Sequence, residues 1–187
     1  MKIGVISDTH GVVTAWEKAM DIFSGADMIL HAGDVLYHPP RLGITGGYDL
    51  PELVHLMNAC PVPIVIARGN CDAEVYEELF EMPVMTPYAA VELDGLRMVV
   101  THGHTLAGND IERLSAKYHA QVFVTGHTHI PIVQRIGETI HLNPGSPSHS
   151  KFERDGIPLP TVGLITDGKV QVVALESGEE LMALSLE

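Results

Sequence analysis

Five short polar clusters each follow an apolar run in this chain, and this alternation is the feature that most restricts its fold. The clusters are Asp8-Thr9-His10, Gly33-Asp34, Gly69-Asn70-Cys71-Asp72, Thr101-His102-Gly103-His104 and Gly126-His127-Thr128-His129. Open α/β sheets bind ligands beyond the carboxyl ends of their strands, so side chains in such loops can converge. The pattern therefore predicts an α/β protein with a metal site at strand ends.

The apolar runs predict two groups of strands. In the first half we expect strands at 2–7, 27–32 and 62–67 and helices at 12–23 and 50–58. After Pro87 the hairpin signal Asp94-Gly95, between strands expected at 88–93 and 96–101, suggests a second sheet. Farther along the chain we expect a helix at 110–118 and strands at 122–125, 162–166 and 170–175, with others around Ile132 and Ile140. Asp167-Gly168 is expected to form a hairpin between the last two strands.

The stretch 37–48 is rich in Pro and Gly and is predicted to be a long surface loop. It is a candidate lid over the site. Within it, His38 and Arg41 could contact an anionic substrate, and the alternative is that both are solvated loop residues.

Composition indicates a folded protein with one domain over residues 1–187, since 45% of the residues are hydrophobic. The net charge of −13 gives no broad basic surface for nucleic acid, so strong nucleic-acid binding is not expected. No apolar stretch approaches the roughly 18 residues of a membrane span, and no signal peptide is recognised. With only two cysteines, Cys60 and Cys71, a cytoplasmic location is expected.

The clusters contain ligand types that suit two metal ions: two aspartates, one asparagine and at least four histidines. Imidazole with carboxylate favours Mn²⁺, Fe²⁺ or Zn²⁺ over calcium. Two ions about 3.5–4 Å apart need a bridging group, and Asp34 lies in the middle of the set. Taken singly, Asp34 could be a cap, Asn70 a turn residue and each histidine a structural residue.

In this order the clusters resemble the motifs of the calcineurin-like metallophosphoesterases, and within them the small YfcE-type phosphodiesterases of bacteria and archaea. The family pattern of Asp-x-His, Gly-Asp, Gly-Asn-(His or Cys)-(Asp or Glu), His and Gly-His-x-His is matched from Asp8 to His129. The later Asn143-Pro144-Gly145-Ser146 is also similar. The resemblance implies a four-layer α/β/β/α sandwich of two mixed β-sheets flanked by helices.

The resemblance also implies roles for particular residues. Asp8, His10 and His129 would bind one divalent metal, Asn70, His102 and His127 would bind the other, and Asp34 would bridge them. Manganese is the expected metal, with zinc, iron or nickel as alternatives. A metal-activated hydroxide would then attack a small phosphodiester or other phosphate ester, with Asp34, Asn70 and His104 as the expected catalytic residues. A homo-oligomer, dimer or tetramer, is also implied.

Cys71 departs from the many family members that have histidine after the Gly-Asn pair. That histidine is thought to protonate the leaving group, whereas cysteine is a weak donor. We therefore expect a preference for leaving groups that need little protonation, or a proton donor elsewhere, such as His104. For Cys71 itself we expect a small, buried, inert thiol rather than a chemical role. In either case Asp72 loses the histidine that it helps to orient in those members.

Two other functions compete with the phosphodiesterase. One is a non-catalytic scaffold of the same fold, and the other is a nucleotide phosphatase or nuclease. Because Asp8, His10, Asp34 and Asn70 are all present, the ligand set favours an enzyme over a scaffold. The acidic charge disfavours a nuclease that acts on duplexes.

Overall fold

The computed structural model describes residues 1–37, 43 and 46–186. Most of the stretch 37–48, with His38 and Arg41, lies outside these residues, so the lid stays a prediction. None of the helices in the described part is long and apolar enough to cross a membrane.

The described residues form fourteen strands, three α-helices and one 3₁₀ helix, at Glu74–Glu78. The helices are α1 (Val13–Ile22), α2 (Leu50–Asn58) and α3 (Asp110–Tyr118). The strands are β1 (Lys2–Ile6), β2 (Met28–His31), β3 (Ile64–Ala67), β4 (Val84–Met85), β5 (Ala89–Leu93), β6 (Leu96–Val100), β7 (Val122–Val124), β8 (Ile132–Ile136), β9 (Thr139–Asn143), β10 (Glu153–Arg154), β11 (Ile157–Pro158), β12 (Thr161–Thr166), β13 (Lys169–Ala174) and β14 (Glu180–Ser185).

Two mixed sheets contain most of these strands. The first has seven strands in the order β14-β13-β12-β1-β2-β3-β4. Its strands β1 to β4 are parallel neighbours, while β12 to β14 pair antiparallel. The second has five strands in the order β5-β6-β7-β9-β8, with β6, β7 and β9 parallel. The second sheet expected after Pro87 is thus confirmed, while the short pair β10-β11 stands apart.

Apolar side chains join the layers. Between the sheets, Val5 and Leu30 of the first sheet share a core with Val100, Val122 and Ile140 of the second. On the outer face of the first sheet lie α1 and α2, and α3 covers the second sheet. The helix side chains that pack there are Trp16, Ala19, Leu53 and Met57 on the first sheet and Ile111, Leu114 and Tyr118 on the second. The expected four-layer α/β/β/α order is confirmed.

The polar clusters follow the ends of strands β1, β2, β3, β6 and β7. Strands β1 and β2 end just before Ser7-Asp8 and Ala32-Gly33-Asp34, and β3, β6 and β7 are followed in the same way by their clusters. Beyond these strands the backbone turns sharply. Five residues of the polar clusters adopt a left-handed conformation there, which non-glycine residues rarely use. Those residues, with φ between 46° and 68°, are Asp8, His10, Asp34, His127 and His129.

Candidate metal centre

Three atoms that can each accept a hydrogen bond face one another at the end of β1. The Oδ1 atom of Asp8 is buried and has no hydrogen-bond partner among the described residues. It lies 3.3 Å from Nε2 of His129 and 3.8 Å from Nε2 of His10. The two Nε2 atoms are 3.2 Å apart. A buried acceptor without a donor costs about 1–3 kcal/mol, so a cation that contacts all three atoms would stabilise this arrangement.

The second ring nitrogen of each histidine fixes which atom carries the proton. Nδ1 of His10 lies 2.6 Å from the carbonyl oxygen of Tyr37, and Nδ1 of His129 lies 2.7 Å from that of His149. A carbonyl oxygen only accepts, so each Nδ1 donates to it and each neutral ring keeps its Nε2 lone pair free. Metal-ligating histidines have this arrangement. The residues therefore fit a divalent cation held by Asp8, His10 and His129.

A second group lies beside the first and contains Asp8, Asp34 and His102. Nε2 of His102 is 3.3 Å from Oδ2 of Asp34 and 4.0 Å from Oδ1 of Asp8. The amide oxygen of Asn70 is 3.1 Å from the same Nε2. His102 Nδ1 lies 2.7 Å from the carbonyl oxygen of Ala32, which again leaves Nε2 facing the oxygens. Asp8 thus faces both groups.

The local charges favour ionised carboxylates. Burial alone would raise the pKa of Asp8, but the imidazoles of His129 and His102 outweigh burial and hold that pKa below its usual range. Burial opposes ionisation of Asp34 as well, yet His102 keeps the Asp34 pKa well below its usual range. Burial lowers the pKa of His10, so this ring is neutral at pH 7. Charged carboxylates and neutral imidazole are the forms that bind metals.

The pKa of His102 is raised, whereas that of His10 is lowered, because His102 faces two carboxylates. Burial alone would lower its pKa, but the hydrogen bond to Asp34 and the charge of Asp8 raise it. Between these oxygens a proton and a divalent cation would therefore compete for Nε2.

Two of the expected site residues lie at the edge of the centre. His127 is half-buried, with its ring 5.2 Å from that of His102 between centroids, and its backbone N–H donates to Oδ2 of Asp8 at 2.9 Å. It belongs to neither three-residue group. His104 is exposed, with its ring 5.4 Å from that of His102 and 6.2 Å from that of His127. His104 thus lies beside the centre rather than within it.

Cys71 is half-buried rather than buried as expected. Its Sγ accepts a hydrogen bond from the Asn70 amide at 3.2 Å. Burial, and then the negative charge of Asp34, raises the pKa of the thiol to about 12. The thiol is therefore protonated at neutral pH.

Asp72 does have partners, although it lacks the histidine of other members. Its carboxylate is buried and accepts hydrogen bonds from the backbone N–H groups of Asp34, Val35 and Gly69. These bonds join the loop after β2 to the loop after β3. Sequence reasoning missed this role because backbone partners leave no motif.

The Asn143–Ser146 turn supports the site from behind. The buried hydroxyl of Ser146 donates to the carbonyl oxygen of Asp8 at 2.8 Å, and that of Ser148 donates to it at 3.0 Å. The Asn143 amide donates to the carbonyl oxygen of Gly126 at 2.8 Å. Ser148 and the carbonyl of His149 were not expected from the sequence, since serine and histidine in a loop have many structural uses.

His31 was also not predicted as part of the centre. Its buried ring accepts a hydrogen bond from the N–H of Gly33 at Nδ1, so Nε2 carries the proton and donates to Thr9 Oγ1 at 3.0 Å. Burial lowers the pKa of His31 to about 3, so the ring stays neutral. This ring links the loops that carry Asp8 and Asp34.

Known proteins share this arrangement of sequence and fold. A family model described as calcineurin-like phosphoesterase superfamily domain matches residues 1–165. Phosphodiesterase YfcE of Escherichia coli is 36% identical over 177 residues, which cover 94% of this chain and 92% of that protein. The solved structure of the E. coli phosphoesterase YfcE superposes with a TM-score of 0.84 at 32% identity, covering all of both chains. Vacuolar protein sorting 29 from Cryptosporidium parvum has the same fold, with a TM-score of 0.68 at 18% identity over 98% of this chain and 97% of its own.

Proposed function

This chain belongs to the calcineurin-like phosphoesterase superfamily, and we propose that it hydrolyses small phosphodiesters at a centre of two divalent cations. The observation that carries the proposal is the buried Oδ1 of Asp8. It faces the Nε2 atoms of His10 and His129, and no donor in the described part of the chain reaches it. A cation would give all three atoms a partner.

We assign the ligands in two sets. Asp8, His10 and His129 would hold the first cation, Asn70, His102 and His127 would hold the second, and Asp34 would be shared by both. The short distances from His102 Nε2 to Asp34 and Asn70 support the second set. The approach of Asp8 Oδ1 to His102 suggests that Asp8 also helps to balance charge at the second position. Mixed nitrogen and oxygen ligands suit manganese, and also zinc, iron or nickel.

When bound, two such cations would supply hydroxide by lowering the pKa of a water molecule and would offset negative charge on the phosphate. The protein's own part is to hold the ligands in the required state. Backbone carbonyls fix the tautomers of His10, His102 and His129. His104 lies on the exposed side of His102 and His127, where it can contact a phosphate oxygen or the leaving group.

The direct test measures hydrolysis of an aryl phosphodiester and an aryl phosphomonoester with added Mn²⁺, before and after chelation. We expect hydrolysis that depends on the metal and is faster for the diester. Faster hydrolysis of the monoester would instead support the phosphatase alternative. Absence of turnover of both substrates would contradict the proposal.

Metal content separates the enzyme from a scaffold of the same fold. We expect the purified protein to take up about two equivalents of Mn²⁺, as a pair of metals requires. No bound metal after supplementation, together with no turnover, would support the scaffold, a function outside the phosphoesterases.

A further inference from the structure

The carboxylate of Asp72 accepts three backbone hydrogen bonds from two different loops. Its Oδ2 atom accepts from the N–H of Asp34 and of Gly69, both at 2.8 Å. Its Oδ1 atom accepts from the N–H of Val35 at 2.8 Å. The residue is only 8% exposed, so water competes little for these oxygens. Hydrogen bonds to an ionised acceptor are roughly twice as strong as neutral ones.

Asp34 accepts a hydrogen bond from the loop that contains Asp72. Its Oδ1 atom accepts from the backbone N–H of Cys71 at 2.8 Å, while its own N–H donates to Asp72. The bond from Cys71 leaves Oδ2 of Asp34 to face His102 at 3.3 Å. The two loops therefore hold each other through Asp34 and Asp72, and this pair of bonds orients the Asp34 carboxylate.

The loop after β2 and the loop after β3 also pack closely against each other. A Cβ atom placed on Gly69 would lie 2.3 Å from the backbone nitrogen of Asp34 and 2.1 Å from its Oδ1. No side chain fits there, so the loop after β3 approaches Asp34 as closely as backbone allows. Asn70, the next residue, is carried on the same loop with its amide oxygen near His102.

We propose that Asp72 is a positioning residue that sets the separation of Asp34 and Asn70, and thereby the second metal position. The proposal rests on the proposed function for the identity of that position. Asp72 positions the loops by accepting hydrogen bonds from backbone N–H groups. This role does not depend on a histidine at position 71. Its three bonds go to Asp34, Val35 and Gly69, and none goes directly to Asp8, His10 or His129. Because Asp34 and Val35 in turn accept from His10 and Gly11, we expect a large effect at the second position and a smaller one at the first.

The first test needs no metal. Amide hydrogen exchange is measured by NMR in the metal-free protein and in Asp72→Asn. An asparagine offers one acceptor oxygen and turns an NH₂ group toward the remaining N–H donors, so we expect faster exchange at Asp34, Val35 and Gly69. The matched control is Asp110→Asn, since Asp110 also accepts a backbone N–H, from Ala107 at 3.0 Å, but on α3. Unchanged exchange at the three amides in Asp72→Asn would overturn the proposal.

The second test titrates Mn²⁺ into each variant by calorimetry. We expect Asp72→Asn to weaken one of two binding events by about 10–100-fold, as loss of a supporting residue does, and to weaken the other clearly less. Equal loss of both events would show a general folding role and overturn the proposal. If Asp72→Asn is unfolded by circular dichroism, Asp72→Glu replaces it, with selective weakening of one event again expected.

The two tests also separate this inference from the proposed function. If the wild-type protein binds no Mn²⁺, the proposed function fails, and the exchange data still show whether Asp72 joins the two loops. If two ions bind and the exchange rates do not change, only the role of Asp72 fails.

Discussion

Asp8 and Asp34 follow the adjacent parallel strands β1 and β2, two and three residues beyond the strand ends, and both have a φ of 56°. A left-handed conformation in a non-glycine residue costs about 1–3 kcal/mol and is held only where its surroundings enforce it. Here the N–H of Asp8 donates to the Gly33 carbonyl at 2.9 Å, and that of His10 donates to the Asp34 carbonyl at 3.0 Å. The two loops thus hold each other's strained residues, and both carboxylates point toward His102.

Asp34→Asn should remove the charge between the two metal positions while keeping the fold. The asparagine oxygen can still accept the N–H of Cys71, so we expect a melting temperature close to wild type. Hydrolysis of an aryl phosphodiester with Mn²⁺ should fall by roughly 10²–10³-fold, the scale seen when one charge-stabilising group is removed. Asp110→Asn serves as the control. Full activity in Asp34→Asn and in His127→Ala would remove the ligand assignment.

Gly69→Ala should disturb the site by contact alone. Its Cβ would lie 2.3 Å from the nitrogen of Asp34, so the loops must separate. Overpacking of this kind costs about 1–3 kcal/mol, and we expect weaker Mn²⁺ binding together with a lower free energy of unfolding. The control is Gly46→Ala, since nothing lies within 4 Å of a Cβ there and its φ is outside the left-handed region. Equal effects of the two substitutions, measured by urea unfolding and calorimetry, would refute this explanation.

Cys71 should matter through its backbone rather than its thiol. Its N–H donates to Oδ1 of Asp34, and its Sγ accepts from the Asn70 amide. We expect Cys71→Ala to keep activity within a few-fold of wild type. Cys71→His adds a proton donor, so it should accelerate hydrolysis of alkyl phosphodiesters, whose leaving groups need protonation, more than that of aryl phosphodiesters. The alkyl-to-aryl ratio of kcat/KM measures this, and an unchanged ratio would contradict the expectation.

His141 should make the folded protein less stable below pH 6.5. Its buried ring accepts from Gln134 at Nδ1 and donates to Thr125 at Nε2, and burial lowers its pKa to about 4 from the usual 6.5. As pH falls, the unfolded chain takes up the proton first. The stability contributed by neutral His141 is therefore complete above pH 6.5 and is lost between pH 6.5 and 4, on the order of 3 kcal/mol in total.

The measurement for His141 compares urea unfolding at pH 7.5 and pH 4.5 in wild type and His141→Gln. Glutamine does not titrate, so the variant should lose less stability between the two pH values than wild type loses. Other buried histidines, such as His31, remain in both proteins, so the difference isolates His141. Identical losses would show that His141 does not contribute.

The sequence allowed prediction of the elements that carry the site because their signals are local. Apolar runs that end in polar clusters correspond to β1, β2, β3, β6 and β7, and the helical periodicity at 110–118 corresponds to α3. Strand β14 was missed, since its Leu-Met-Ala-Leu core favours a helix in isolation. Pairing with β13 in the folded protein overrides that preference.

The site was predicted by residue type but not in its supporting contacts. Spacing and chemistry identified Asp8, His10, Asp34 and His102, which the structure brings together. The three bonds that Asp72 accepts are made with backbone N–H groups, which every residue except proline has, so no residue type marks them. Contacts of this kind depend on how two loops meet and become visible only in three dimensions.

Each ligand group takes members from both sheets, and this has a consequence for the order in which the protein is made. Asp8, His10 and Asp34 follow strands of the first sheet, while His102 and His129 follow strands of the second. A ribosome-bound chain that has exposed only residues 1–93 therefore has three of these five ligands and neither complete group. On the proposed function, the complete ligand groups would form only after the second sheet has formed and docked, so metal loading would be a late step in maturation.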